Sequence, residues 1–219
     1  VAAGLFGLYV LKKVANSYWY SRRLFSTASE IADKVVLITG CDTGFGHDTA
    51  LKLSIVCGYK VIATCLKQES VEEFLSNSEF TKNGSTATVM DVTKQEDIQR
   101  VKEFTAKYLD ETNSILWGLV NNAGIAIPGE FEVVPAELDE LERNILLAGP
   151  INITRQFLPL IYGRKNYETI QSTKTANNGG RIVNVASLAT YLAAPGFTRY
   201  GTSKAALSYF SHILRMELS

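Results

Sequence analysis

Five short, nearly continuous apolar runs divide the chain from Lys34 onward, and each is followed by a stretch with helical spacing. The runs are 35–39, 59–66, 85–90, 115–120 and 181–187; the helical stretches are 45–57, 70–80, 94–110, 135–161 and 199 onward. A strand that is apolar at every position must be covered on both faces. Strands that alternate with helices achieve this as a parallel sheet with right-handed helical crossovers. The pattern therefore predicts an α/β, doubly wound parallel sheet, a Rossmann fold. Residues 163–179, rich in Asn, Thr and Lys, interrupt it and read as a surface insertion.

Composition narrows the class further. The chain has 219 residues, 46% of them hydrophobic, enough for one sizeable core. Its 22 basic and 22 acidic side chains cancel, which gives no hint of a nucleic-acid partner. Cys41, Cys57 and Cys65 are odd in number and form no C-x-x-C, so reduced thiols are expected and no metal site.

Residues 1–30 read as a separate leader and 31–219 as the Rossmann-type domain. Residues 1–11 are uncharged and are followed by Lys12 and Lys13. They are too few to span a bilayer, which takes about 20 apolar residues. Three readings stay open. One is the tail of a membrane anchor, with Lys12, Lys13, Arg22 and Arg23 on the cytosolic side and Tyr18, Trp19 and Tyr20 at the headgroups. The second is a mitochondrial presequence, since 21–29 is basic and serine-rich. The third is a plain amphipathic helix. Val1 in place of Met, and a helical pattern reaching Ser219 without a stop signal, read as a part of a longer chain. The sheet is then expected to be incomplete on its C-terminal side, and the piece inactive alone.

The first strand-to-helix turn, T-G-C-D-T-G-F-G over 39–46, is the first candidate site. Glycines at 40, 44 and 46 allow a tight turn and a close approach of backbone to pyrophosphate, with a helix N-terminus facing the phosphates. At the end of the second strand an acidic residue would select NAD and an arginine NADP. Thr64, Cys65 and Leu66 supply neither signal. Lys67 could meet a phosphate or simply be solvated. Asp42 would repel a 2′-phosphate, so the balance favours NAD, with NADP not excluded. Asp91, after the third strand, could accept from an adenine amine or cap the next helix.

The second candidate site spans 186–207. Tyr200 and Lys204 stand four apart on a helix, one turn over the other on one face. An ammonium beside a phenol favours phenolate, and such a tyrosine can exchange a proton with an alcohol or carbonyl. Ser187, at the end of the fifth apolar run, could hold the substrate oxygen against the phenol.

Thr39 to Gly46, Asp91-Val92, Asn121-Asn122-Ala123-Gly124, Ser187, Tyr200 and Lys204 appear in one order, with Ser187 thirteen residues before Tyr200. Over 34–219 this resembles the short-chain dehydrogenases/reductases. The words T-G-C-D-T-G-F-G and L-W-G-L-V-N-N-A-G-I resemble the branch of retinol, 17β-hydroxysteroid and D-3-hydroxybutyrate dehydrogenases. The resemblance implies Tyr200 as general acid/base, Ser187 as the residue that orients and polarises the substrate oxygen, and Lys204 as partner of the nicotinamide ribose and of Tyr200. It implies a cofactor set of Gly40, Asp42, Gly44, Phe45, Gly46, Cys65, Asp91, Val92, Asn122, Ala123 and Gly124, together with Tyr200 and Lys204.

The implied reaction is NAD(P)-dependent hydride transfer with a small lipophilic alcohol or ketone, a retinoid or steroid, in a homodimer on the endoplasmic reticulum membrane. The alternatives are a mitochondrial D-3-hydroxybutyrate-type enzyme, a nucleotide-binding pseudoenzyme, and a purely structural membrane-associated domain. One position departs from the family. An asparagine expected in the long helix is replaced by Leu146, and Asn144 lies two residues earlier. Either the helix has a local register shift or that proton relay is absent.

Overall fold

The computed structural model describes residues 31–162 and 180–218; the leader 1–30 and the insertion 163–179 lie outside the described residues. The described residues from Asp33 onward belong to one compact unit. Its strands are β1 (Lys34–Thr39), β2 (Lys60–Cys65), β3 (Thr86–Val89), β4 (Ile115–Asn121) and β5 (Arg181–Asn184). All pair in parallel, in the order β3-β2-β1-β4-β5. The chain winds outward from β1 to β3, then returns to the other side of β1 to place β4 and β5. The predicted doubly wound sheet is therefore present. Its switch point lies between β1 and β4, where a crevice opens beyond the carboxyl ends of the strands.

The helices are α1 (Gly44–Leu51), α2 (Gln68–Ser76), α3 (Ser78–Thr81), α4 (Gln95–Glu111), α5 (Ala136–Arg143), α6 (Gly149–Ile161) and α7 (Thr198–Glu217). Alternation along β1 explains why its run is apolar throughout. Val35 and Leu37 join one core with Ile98 and Val101 of α4 and Ile153 and Phe157 of α6. Val36 and Ile38 join the other with Ala50 of α1, Val71 and Phe74 of α2, and Phe80 of α3. Each of the fully buried Val, Leu, Ile and Phe side chains is worth about 1.5–3 kcal/mol of transfer free energy.

Three sequence boundaries are corrected. The stretch 70–80 is two helices, because the Asn77 side chain accepts from the amides of Glu79 and Phe80 and starts a new helix. The fifth run leaves the sheet at Asn184. The Val185 amide still donates to the Asn121 carbonyl, and the chain then turns into a 3₁₀ turn, Leu188–Thr190. The long region 135–161 is broken by a π-turn, Asn144–Ala148, between α5 and α6. Pro150 stands just beyond it and has no N–H for the carbonyl four residues back, that of Leu146. A widened turn there absorbs the lost bond.

Among the described residues, no helix is long and apolar enough to cross a membrane.

Candidate active site

The crevice at the switch point is closed at its base by hydrogen bonds. Thr39, the last residue of β1, accepts with Oγ1 from the amides of Asn122 and Ala123, both at 3.0 Å. The Asn122 amide group donates back to the carbonyls of Thr39 and Gly40, at 2.9 and 3.0 Å. The glycine turn is thus latched to the loop after β4. Two glycines are required by this closeness. A Cβ on Gly46 would meet the Gly40 oxygen at 2.3 Å and Asn122 Nδ2 at 2.4 Å. Gly40 has φ +68°, and a Cβ there would lie 2.6 Å from Ala123 Cα.

Above this base lies a cavity of about 770 Å³. Most predicted site residues border it: Gly40, Asp42 and Phe45 from the first turn, Asp91 and Val92 after β3, and Asn122, Ala123 and Gly124 after β4. Ser187, Tyr200 and Lys204 border it as well. Gly44 and Gly46 shape the turn without reaching the cavity lining. Cys65 does not reach it either. Its side chain is buried in the core beneath the sheet, where burial pushes the thiol up to about 12. Its neighbours Leu66 and Lys67 are at the cavity instead.

Two carboxylates expected at the cofactor are committed to backbone. Asp42 accepts from the amides of Leu66 and Lys67, at 2.8 and 2.9 Å, so a fixed negative charge sits at the end of β2. Asp91 accepts from the amide and hydroxyl of Thr93, at 2.9 and 2.7 Å. The capping alternative is corrected: the residue before α4 is Lys94, and Asp91 forms an Asx turn ahead of it.

Lys204 is only 4% exposed, and its amine donates to the Val185 carbonyl at 2.6 Å. Burial lowers its pKa, because the charged form loses hydration. The amine lies 6.0 Å from the centroid of the Tyr200 ring, and Phe197 packs edge-on against that ring, also at 6.0 Å. Ser187 Oγ accepts from the Ala189 amide at 3.2 Å, which fixes the hydroxyl at the start of the 3₁₀ turn.

The π-turn resolves the position of the departure noted in the sequence. A register shift exists, yet Leu146 and Ile145 border the cavity while Asn144 does not. Leu146 is fully buried. A Cβ on Gly124 would stand 3.3 Å from its Cδ2 and 3.7 Å from Lys204 Nζ, so the leucine and the amine converge on one spot.

Sequence reasoning missed Thr39 as the latch, although a hydroxyl at a strand end before a glycine turn is a visible cue. It also missed Ile125, Ala126 and Ile145 as cavity wall. Among the described residues, no cluster of His, Cys, Asp or Glu could hold a metal ion, and all three cysteines are free.

The sequence model of the family described as short chain dehydrogenase matches residues 34–219. A mitochondrial D-beta-hydroxybutyrate dehydrogenase of Bos taurus is 32% identical over 90% of this chain and 54% of its own length. A 17-beta-hydroxysteroid dehydrogenase type 6 of Bos taurus is 36% identical over 99% of this chain and 60% of its own length. The chain thus spans a little over half the length of these curated relatives. Among solved structures, the serine dehydrogenase of Escherichia coli is 30% identical, with a TM-score of 0.69 over 84% of this chain and 76% of that one. Sheet order, glycine turn and family match converge, and this chain belongs to the short-chain dehydrogenase family.

Proposed function

We propose that the whole protein is an NAD(P)-dependent oxidoreductase acting on a small lipophilic alcohol or the corresponding ketone or aldehyde. The observation that carries this reading is that Ser187, Tyr200 and Lys204 border the same cavity as the glycine turn.

The residues present fit a dinucleotide. The turn closes so tightly at Gly40 and Gly46 that side chains are excluded, and the start of α1 offers free backbone amides to a pyrophosphate. Asn122, Ala123 and Gly124 would flank the nicotinamide half, with Asp91 and Val92 beside the adenine. When bound, a nicotinamide cofactor supplies the hydride chemistry, and the protein supplies position and electrostatics. The fixed charge of Asp42 at the end of β2 opposes a 2′-phosphate, which favours NAD over NADP.

Tyr200 takes the proton of the alcohol through its phenolic oxygen, or returns it to the carbonyl oxygen in the reverse direction. Lys204, whose amine lies 6.0 Å from the centroid of the Tyr200 ring, would bond the nicotinamide ribose. Ser187 holds the substrate oxygen in line with the phenol. A lipophilic substrate suits the wall. Ile125, Ile145 and Leu146 border the cavity, and Leu188, Tyr191 and Leu192, just after Ser187, are 69%, 80% and 60% exposed.

The retinoid or steroid reading and the D-3-hydroxybutyrate reading divide on substrate and place: endoplasmic reticulum membrane for the first, mitochondrion for the second. The apolar wall favours the first. A pseudoenzyme is favoured by a single observation, Leu146 beside Lys204. The test is to incubate the whole protein with NAD and, separately, a hydroxysteroid, a retinoid alcohol and D-3-hydroxybutyrate, and to follow reduced nicotinamide. Turnover of a lipophilic alcohol is expected. Cofactor binding without turnover of any of them would favour the pseudoenzyme.

A further inference from the structure

Glu142 in α5 and Arg199 in the first turn of α7 form a buried ion pair, with Arg199 Nε 3.5 Å from Glu142 Oε2 and side chains 4% and 0% exposed for arginine and glutamate. Neither side chain borders the cavity. Both grip the same residue. Glu142 Oε1 accepts from the Ile127 amide at 3.0 Å, and Arg199 Nη2 donates to the Ile127 carbonyl at 2.7 Å.

Burying two charges strips both of their hydration, and the attraction between them repays this only with full hydrogen bonding. Here it is not full: Glu142 Oε2 and Arg199 Nε and Nη1 make no hydrogen bond. The pair is therefore a poor device for stability. Its placement suggests another use. Ile127 follows Gly124, Ile125 and Ala126 of the cavity wall; Glu142 precedes Ile145 and Leu146; Arg199 precedes Tyr200. Three separate stretches of wall meet at one clamp. A second tie runs alongside, from the Gly129 amide to the Gly196 carbonyl at 3.0 Å.

We infer that Glu142 and Arg199 are positioning residues, which hold the Ile127 backbone so that Tyr200 and the wall formed by Gly124, Ile125 and Ala126 face the substrate in fixed register. The inference rests on the dehydrogenase reading above. It assigns the pair no contact with substrate or cofactor. Misplacing reacting atoms by about 1 Å can cost about a hundredfold in rate, so a clamp one residue from the proton donor has large leverage.

Removing one partner alone would strand the other charge and could unfold the protein. The test therefore uses the double variant Glu142→Leu/Arg199→Met in the whole protein, because apolar replacement of a buried ion pair is often neutral or stabilising. Three quantities are measured: thermal midpoint, amide hydrogen exchange at Ile127, and kcat, KM and NAD(H) dissociation constant. The expected result is a cooperative thermal transition near that of the parent and faster exchange at Ile127. A drop in kcat of about tenfold or more, with NAD(H) affinity within about twofold, completes it. Unchanged exchange at Ile127 overturns the clamp. Faster exchange with kcat within about twofold of the parent overturns the positioning role. A double variant that fails to fold shows the pair to be structural and also overturns it. A parent that turns over none of the alcohols removes the dehydrogenase reading, and the positioning role with it.

Discussion

Lys204 donates its amine to the carbonyl of Val185 at 2.6 Å, and so ties α7 to the strand end that leads into Ser187. The bond sets the lysine one helical turn from Tyr200 and two residues from Ser187 along the other chain segment. It connects the three side chains of the candidate site without any direct bond among them. The amine keeps two further N–H groups, and it and Leu146 both lie close to Gly124.

Tyr200→Phe is expected to abolish turnover in the whole protein and leave NAD(H) affinity nearly unchanged. The substitution keeps the ring, including its edge contact with Phe197, and removes only the proton donor. Steady-state rates beside cofactor titration check it. Turnover within about a factor of ten of the parent would sink the assignment of Tyr200 as the acid/base.

Asp42 should set the preference between cofactors. Its carboxylate is fixed by the Leu66 and Lys67 amides, close to where a ribose 2′-substituent meets the end of β2. The parent should bind NAD(H) more tightly than NADP(H). Asp42→Asn keeps a hydrogen-bond acceptor and removes the charge, so the ratio of the two dissociation constants should move toward NADP(H). A parent that prefers NADP(H) would give the deciding role to Lys67.

The Leu146→Asn exchange addresses the departure in the long helix. Leu146 and the Lys204 amine both approach Gly124, and the amine has donors to spare for a water held by the new amide, so turnover should be kept or raised. Stability should fall, by about 1–3 kcal/mol if the remaining amide N–H groups find no partner. Paired measurement of kcat and the denaturation midpoint decides. A clear loss of turnover in a folded variant would mean that the apolar wall at Leu146 is needed by the substrate.

Most of the sheet was legible because its strands are apolar on both faces, a property that local sequence alone records. The glycine turn and the Ser187, Tyr200 and Lys204 set were legible for a similar reason: each depends on spacing within one segment. What escaped depends on bonds between distant segments or on a missing bond. Cys65 looked placed for the cofactor, yet strand alternation turns it into the core. Asp42 and Asp91 do border the cavity, but that their carboxylates also accept from backbone amides, of Leu66 and Lys67 and of Thr93, was not visible in the sequence. Pro150 gave the only local cue for the π-turn, and the direction in which that turn would carry Asn144 and Leu146 follows only from the packing of the helix. Glu142 and Arg199 carry no local signal of their pairing, because they stand in different helices far apart in the chain.

The lowered pKa of Lys204 gives a pH signature in the cofactor-free protein. Burial is the cause, and it acts on the charged form. An unfolded lysine titrates near ~10.4, so between the depressed folded value and that pH the unfolded chain binds more protons than the folded one. Stability contributed by this group therefore rises with pH across that window and is flat below the folded pKa, where both states carry the charge. Lys204→Met removes the titration. The other buried groups act in the opposite sense: burial raises Tyr108 and Cys65, so they favour folding below their unfolded values and lose that contribution as pH rises. A single curve would mix the two effects, so the expected result is a difference. The parent's denaturation free energy should gain on that of Lys204→Met as pH rises through the alkaline range, measured by urea unfolding at matched ionic strength. A difference that is constant with pH, or that falls, would mean that the amine is as well solvated in the fold as in the unfolded chain. The bond to Val185 would then hold a lysine free to keep its proton throughout.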